Sequence, residues 1–146
     1  MIKHAATVAA LAGSLALPAM ADDHASGDAA AGEKAFRACK ACHMIESPDE
    51  TIVRGGRVGP NLYGVVGRTA GSAEDFNYSG LMATAGAQGL AWDEQTFVAY
   101  VQAPTGYLQE QTGESGRGKM AYKVRSKEDA VDLWAYLASV SPEPGS

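Results

Sequence analysis

A chain of 146 residues with a formal net charge of −5 has the size of one domain with little left over. Its acidic balance argues against general nucleic-acid binding, which needs a basic surface. Beyond the N-terminus, no stretch is apolar enough to cross a bilayer.

Residues 1–21 read as a secretory signal peptide. Lys3 and His4 make a short positive start, Ala5 to Leu17 is apolar and small, Pro18 breaks the run, and Ala19-Met20-Ala21 has the small-x-small form of a cleavage site. The apolar run is too short and too rich in alanine to be a good membrane span. Cleavage would remove Lys3 and leave about 125 residues with a charge of −6. The expected product is soluble and exported, in a bacterium to the periplasm. Residues 22–28 are acidic and small and are expected to form a flexible tail.

A helix is expected from about Asp28 to Ala41. Asp28 can cap it, Glu33 suits its N-terminal end, and Ala35, Phe36 and Cys39 recur at helical spacing. It runs into Cys39-Lys40-Ala41-Cys42-His43, which uses both cysteines of the chain. This is the spacing of a covalent c-type haem attachment site. Two residues between the thiols let both sulfurs reach the vinyl groups on one side of a porphyrin. The histidine then lies under the iron and can supply a proximal nitrogen. A thioredoxin-like redox pair would need a βαβ context, and no strand-rich run precedes Cys39. A closed zinc site needs four ligands, and after cleavage only His24 and His43 could join the cysteines. A disulfide between such near neighbours would close a small strained loop.

From Met44 to Gly71 the chain is rich in Gly and Pro and has no sustained period, so loop is expected. A short helix is expected around Ser79 to Ala85. A better one runs from about Asp93 to Gln102, with Phe97, Tyr100 and Val101 on one face and Pro104 as its stop. Residues 105–119 read as loop, with glycines at 106, 113, 116 and 118. The last helix follows Ser126-Lys127-Glu128-Asp129, which has the form of a capping box with Asp in the acidic position. Ala130, Leu133, Trp134 and Leu137 form its stripe, and Pro142 ends it. No strand and no repeat is evident. The expectation is an all-α domain over 29–142, with residues 143–146 as a C-terminal tail. Its helices alone offer a modest core, and a buried haem would supply the missing apolar volume.

A second axial ligand must come from the far side of the ring and hence from a distant part of the chain. After cleavage the candidates are Met44, Met82, Met120 and His24. Met44 adjoins His43 and cannot reach the far face. Met82 falls in an expected helix and suits packing. Met120 follows a glycine-rich basic loop and precedes Ala121-Tyr122, which suits a strap over a flat ligand, so Met120 is favoured. Thioether ligation favours ferrous iron and leaves no open coordination position. The cations Arg117, Lys119, Lys123, Arg125 and Lys127 fall within eleven residues that contain no acid. They make either a solvated face or a basic patch that orients an acidic molecule.

In order along the chain, Gly-Asp-Ala-Ala-Ala-Gly-Glu-Lys-Ala-Phe at 27–36, the motif at 39–43, Gly-Pro-Asn-Leu-Tyr-Gly-Val-Val-Gly-Arg at 59–68, Gly-Lys-Met-Ala-Tyr at 118–122 and Asp-Leu-Trp-Ala-Tyr-Leu at 132–137 resemble the class I cytochromes c. Within them, the chain is most similar to the bacterial cytochrome c2 and c-550 group. The resemblance implies a small fold of about four to five helices and long loops around one haem c, held through two thioethers. It implies that Gly32 and Phe36 cross the last helix near Leu133 and Tyr136, and that the Pro60 carbonyl accepts from the second ring nitrogen of His43. It also implies that Arg68, Tyr78 and Trp92 receive the haem propionates, and that Tyr100 packs beside the sulfur of Met120. Gly118 stands where mitochondrial members carry a threonine that helps hold a propionate. Met82 stands where asparagine is common. The strap before Met120 and the loop from Ser47 to Arg57 are longer than in mitochondrial forms.

The implied function is a soluble monomeric periplasmic electron carrier, not an enzyme. It would take electrons from a cytochrome bc1-type complex and pass them to a terminal oxidase or a photosynthetic reaction centre. With Lys40 added, the six cations Lys40, Arg117, Lys119, Lys123, Arg125 and Lys127 are the candidate docking groups. Two alternatives stay open: a haem enzyme or gas-binding sensor with an open sixth iron position, and a fixed subunit of a larger redox enzyme.

Overall fold

Asp28 opens the first helix by accepting from the backbone N–H groups of Ala30 and Ala31, at 2.8 and 3.1 Å. The structure, a computed structural model, describes residues 25–142. The expected signal segment, His24 and the last four residues lie outside the described residues. Within the expected tail, residues 25–28 are not loose. The Ser26 N–H donates to Glu94 at 2.7 Å, and the Asp28 N–H donates to Asp132 at 2.8 Å.

Helix α1 covers Ala29–Ala35 and tightens into a 3-10 turn at Phe36–Ala38, short of the expected Ala41. The carbonyls that follow face a loop: Lys40 O accepts from Gly56 N at 2.9 Å and Cys42 O from Gly59 N at 2.8 Å, so no helix continues past His43.

The stretch from Met44 onward also departs from expectation, because it contains a two-stranded antiparallel ladder. Strand β1, Ile45–Glu46, pairs with β2, Thr51–Val53. Thr51, Ile52 and Val53 are β-branched and favour extended backbone. The intervening Ser47 closes the turn, with its N–H donating to Glu50 O at 2.9 Å. Helix α2 is Gly80–Ala87, capped by Ser79. Helix α3 is Glu94–Gln102, opened by a reciprocal capping box between Asp93 and Thr96.

Pro104 does not simply end α3. It is the first residue of α4, Pro104–Thr112, where loop was expected. Proline suits the first helical position because its missing N–H is not needed there. Leu108 is fully buried and anchors the helix, and Gly113, at φ +71°, ends it. Helix α5 is Lys127–Val140. Ser126 accepts from Asp129 N at 3.1 Å, so half of the expected capping box is made.

Helix α1 crosses α5, α3 also packs on α5, and α4 joins α2 and α3. The crossing depends on Gly32, where a Cβ would lie 1.9 Å from Asp132 O and 2.8 Å from the Cβ of Tyr136. Beside it the rings of Phe36 and Tyr136 meet at 5.6 Å. Five α-helices with one small ladder make the described residues helix-dominated, as the resemblance implies. None of these helices is long and apolar enough to cross a membrane.

Candidate functional site

One cavity of about 440 Å³ gathers all nine residues that the sequence singles out: Cys39, Cys42, His43, Pro60, Arg68, Tyr78, Trp92, Tyr100 and Met120. They come from the 3-10 turn, the loops on both sides of α2, helix α3 and the strap before α5. Such distant segments meet because α2, α3 and α5 each turn apolar side chains towards this space. Val65 and Phe97, with Val101, Leu133 and Leu137 of α3 and α5, complete the walls.

His43 is fixed on one wall. Its Nδ1–H donates to the carbonyl of Pro60 at 2.8 Å. That bond assigns the tautomer and leaves the Nε2 lone pair free to bind a metal. Burial lowers the basicity of the ring, against the pull of the Pro60 bond, and so favours the neutral form that can ligate. Gly59 supports the ring from the side, since a Cβ there would lie 2.3 Å from Cε1 of His43.

Cys39 is half-buried and Cys42 exposed at the cavity edge. Burial, helped by Cys42, pushes the Cys39 thiol up to about 11. That counts against a reactive thiolate at neutral pH. Among the described residues, no group of three or more His, Cys, Asp and Glu side chains converges as a metal site. The described residues therefore offer the zinc reading no ligand set, and His24, which it would need, lies outside them.

The polar residues of the cavity are held in place. Arg68 donates to the carbonyls of Tyr63 and Asn61, both at 3.1 Å, which fixes its guanidinium at the wall. Trp92 and Tyr100 meet at 5.0 Å with their rings tilted by 49°, and Tyr78 meets Phe76 edge-on at 4.9 Å. Burial, with Tyr78 nearby, pushes the Tyr100 hydroxyl up to about 12, so it stays a neutral donor.

Two methionines line the cavity. Met82 is buried on α2 and belongs to the core, while Met120 is half-buried on the strap. Sequence reasoning missed Gly59 as a support for the ring, the contribution of Phe76, and the rim residues Val58 and Tyr122. The last two are 74% and 52% exposed although apolar or aromatic. The signals available were the Gly-Pro step before Asn61 and the aromatic two residues after Met120.

A largely apolar cavity with an attachment pair, an oriented imidazole, a thioether and buried donors fits haem c. Apolar walls suit the macrocycle, and fixed donors suit its carboxylates.

No family model matches the chain. The chain is similar to cytochrome c2 of Rhodovulum adriaticum, at 57% identity over 79% of this chain and 94% of that one. It is 50% identical to a cytochrome c2 of Cereibacter sphaeroides over 94% of this chain and 95% of that one. It is 48% identical to cytochrome c-550 of Paracoccus versutus over 97% and 90%. Among solved structures, cytochrome c2 from Rhodobacter sphaeroides superposes with a TM-score of 0.76 at 51% identity, covering 79% of this chain and 97% of that one. Ferric cytochrome c-550 from Paracoccus versutus superposes with a TM-score of 0.75 at 45% identity, over 80% and 100%. Identity at this level, over almost the full length of each relative, extends well past the attachment motif. The chain belongs to the class I cytochromes c, among the haem c electron carriers of the cytochrome c2 and c-550 group.

Proposed function

We propose that this chain is a soluble, monomeric periplasmic one-electron carrier with His43 and Met120 as axial ligands. It would run between a cytochrome bc1-type complex and a terminal oxidase or photosynthetic reaction centre. The observation that carries the reading is the single cavity that holds His43, Met120 and the polar quartet Arg68, Tyr78, Trp92 and Tyr100 together.

Haem c, when bound, supplies an iron that changes oxidation state by one electron. The chain's own residues set the conditions. Cys39 and Cys42 tether the cofactor, and the Pro60 carbonyl holds the His43 ring and raises its donor strength. A thioether from Met120 favours the reduced state and fills the last position. Apolar walls keep water out, so little has to reorganise when charge changes. Arg68, Tyr78 and Trp92 would receive the propionates, and Tyr100 would pack beside the Met120 sulfur.

Cys42, Val58 and Tyr122 lie at an exposed rim of the cavity, where a partner can approach closely. Lys40, Arg117, Lys119, Lys123, Arg125 and Lys127 are all exposed, which supports their candidacy for docking. On an acidic molecule such a local cationic face steers encounter more than it adds affinity. The short apolar N-terminal run and its Ala19-Met20-Ala21 end support export.

Spectra and redox titration of haem-loaded wild type, Met120→Ala and Met82→Leu test the reading. The expected outcome is a weak near-red sulfur-to-ferric-iron band that is lost only in Met120→Ala. The midpoint potential of that variant should fall on the order of 0.1 V or more, within the range that axial ligands command. A band lost in Met82→Leu instead would transfer the ligand role. A carbon-monoxide-reactive, high-spin wild type would favour an open-site enzyme or sensor.

A further inference from the structure

The backbone leading into Met120 is glycine-rich, with Gly113 and Gly116 at φ +71° and +142°. Such a segment has much conformational freedom to lose, and a thioether must be held over its site by something other than the segment itself. The structure holds it from several sides. Gln109 Nε2 donates to Gly116 O at 2.8 Å. The Gly118 N–H donates to the hydroxyl of Thr105 at 3.1 Å. The Lys119 ammonium donates to the Asn77 carbonyl and lies 5.5 Å from the centre of the Phe76 ring. Past Met120, the Val124 N–H donates to Val101 O at 2.9 Å.

Two of these ties come from α4, which is itself fixed by buried Pro104 and Leu108. Thr105 stands out because its hydroxyl binds the backbone two residues before Met120. It fills the place beside a residue without a side chain: a Cβ on Gly118 would lie 3.4 Å from that oxygen.

We infer that Thr105 is a positioning residue for the axial ligand. Carried on the rigid α4, its hydroxyl fixes Gly118 and so limits how often the Met120 sulfur swings away from its site. The inference rests on the Met120 reading proposed above. Lys119 ties the same strap to Asn77, so its ammonium has an intramolecular task besides any part in docking.

The test uses haem-loaded ferric protein and imidazole as an exogenous ligand that can bind only when Met120 has left. Thr105→Val should speed imidazole binding by about threefold to tenfold, the factor of one net hydrogen bond. Thr105→Ser keeps the hydroxyl and should stay within about twofold of wild type. Asp28→Ala, which removes the cap of α1, controls for general loosening and should also leave the rate near wild type. A Thr105→Val rate equal to wild type, or an equal acceleration in Asp28→Ala, would overturn the inference. Met120→Ala separates the two readings. If it keeps the near-red band, the ligand reading falls and the strap inference with it. If it loses the band while Thr105→Val binds imidazole at the wild-type rate, only the strap inference falls.

Discussion

Gly59 lies flat against His43, with space for a hydrogen and none for a methyl group. A Cβ at that position would sit 2.3 Å from Cε1 and 2.6 Å from Nδ1 of the imidazole. The same ring is tied to the carbonyl of Pro60, the next residue, at 2.8 Å. Position and orientation of the His43 imidazole are therefore set by one dipeptide, seventeen residues away from the ring it holds.

Gly59→Ala should push the ring off this hydrogen bond or displace the loop. Overpacking of this kind costs about 1–3 kcal/mol. The expected outcome is a lower denaturation midpoint together with a changed midpoint potential. A potential identical to wild type would mean that the ring orientation does not depend on Gly59.

Gly32→Ala offers a test of sign. Alanine is the better helix former by about 1 kcal/mol in a helix interior. Here its Cβ would fall 1.9 Å from Asp132 O, a backbone atom that cannot turn away. The α1–α5 crossing would have to open, and a net loss of about 2 kcal/mol or more is expected. Denaturant unfolding at constant m-value checks it, and a gain in stability would show that the crossing can relax.

Lys123→Glu is the cleaner probe of docking. Lys123 is exposed. Lys119, by contrast, also binds Asn77, and reversing its charge would disturb the strap. Reversal at Lys123 should slow second-order electron transfer with a bc1-type complex by about threefold to tenfold at low salt and flatten its salt dependence. Rates indifferent to the change would put the docking face elsewhere.

Alkaline stability follows from Tyr100. Its hydroxyl is raised to about 12, by burial first and by Tyr78 second. The unfolded chain titrates near about 10. The folded state therefore holds the proton more tightly, and the stability it gives is complete below about pH 10. That stability is lost as pH rises through about 12, with up to about 3 kcal/mol at stake. Unfolding measured from pH 9 to 12 should show a fall that is shallower in Tyr100→Phe. Equal slopes would remove Tyr100 from the alkaline titration.

The attachment motif and the stripe of α5 were legible in the chain because they depend on residue type and short spacing. The same holds for the caps at Asp28 and Ser126, each of which accepts from the N–H groups of its helix, whereas the caps at Ser79 and Asp93 emerged from the structure. Helix α4 was not legible. Its glycine at 106 and polar surface read as loop, and its stability comes from Pro104 and Leu108 buried against α2 and α3. The ladder from Ile45 to Val53 was hidden for a similar reason, since it is too short to display a period.

By itself, then, the amino-acid order determined the cofactor chemistry, the family resemblance and most helix starts, all of which rest on local geometry and on the reactivity of individual side chains. Only the tertiary structure decided that Gly59 has no room for a side chain beside His43, and how α4 and Asn77 secure the strap of Met120. Those relations are contacts between segments far apart in the chain, and their distances are set by packing, which no local pattern encodes.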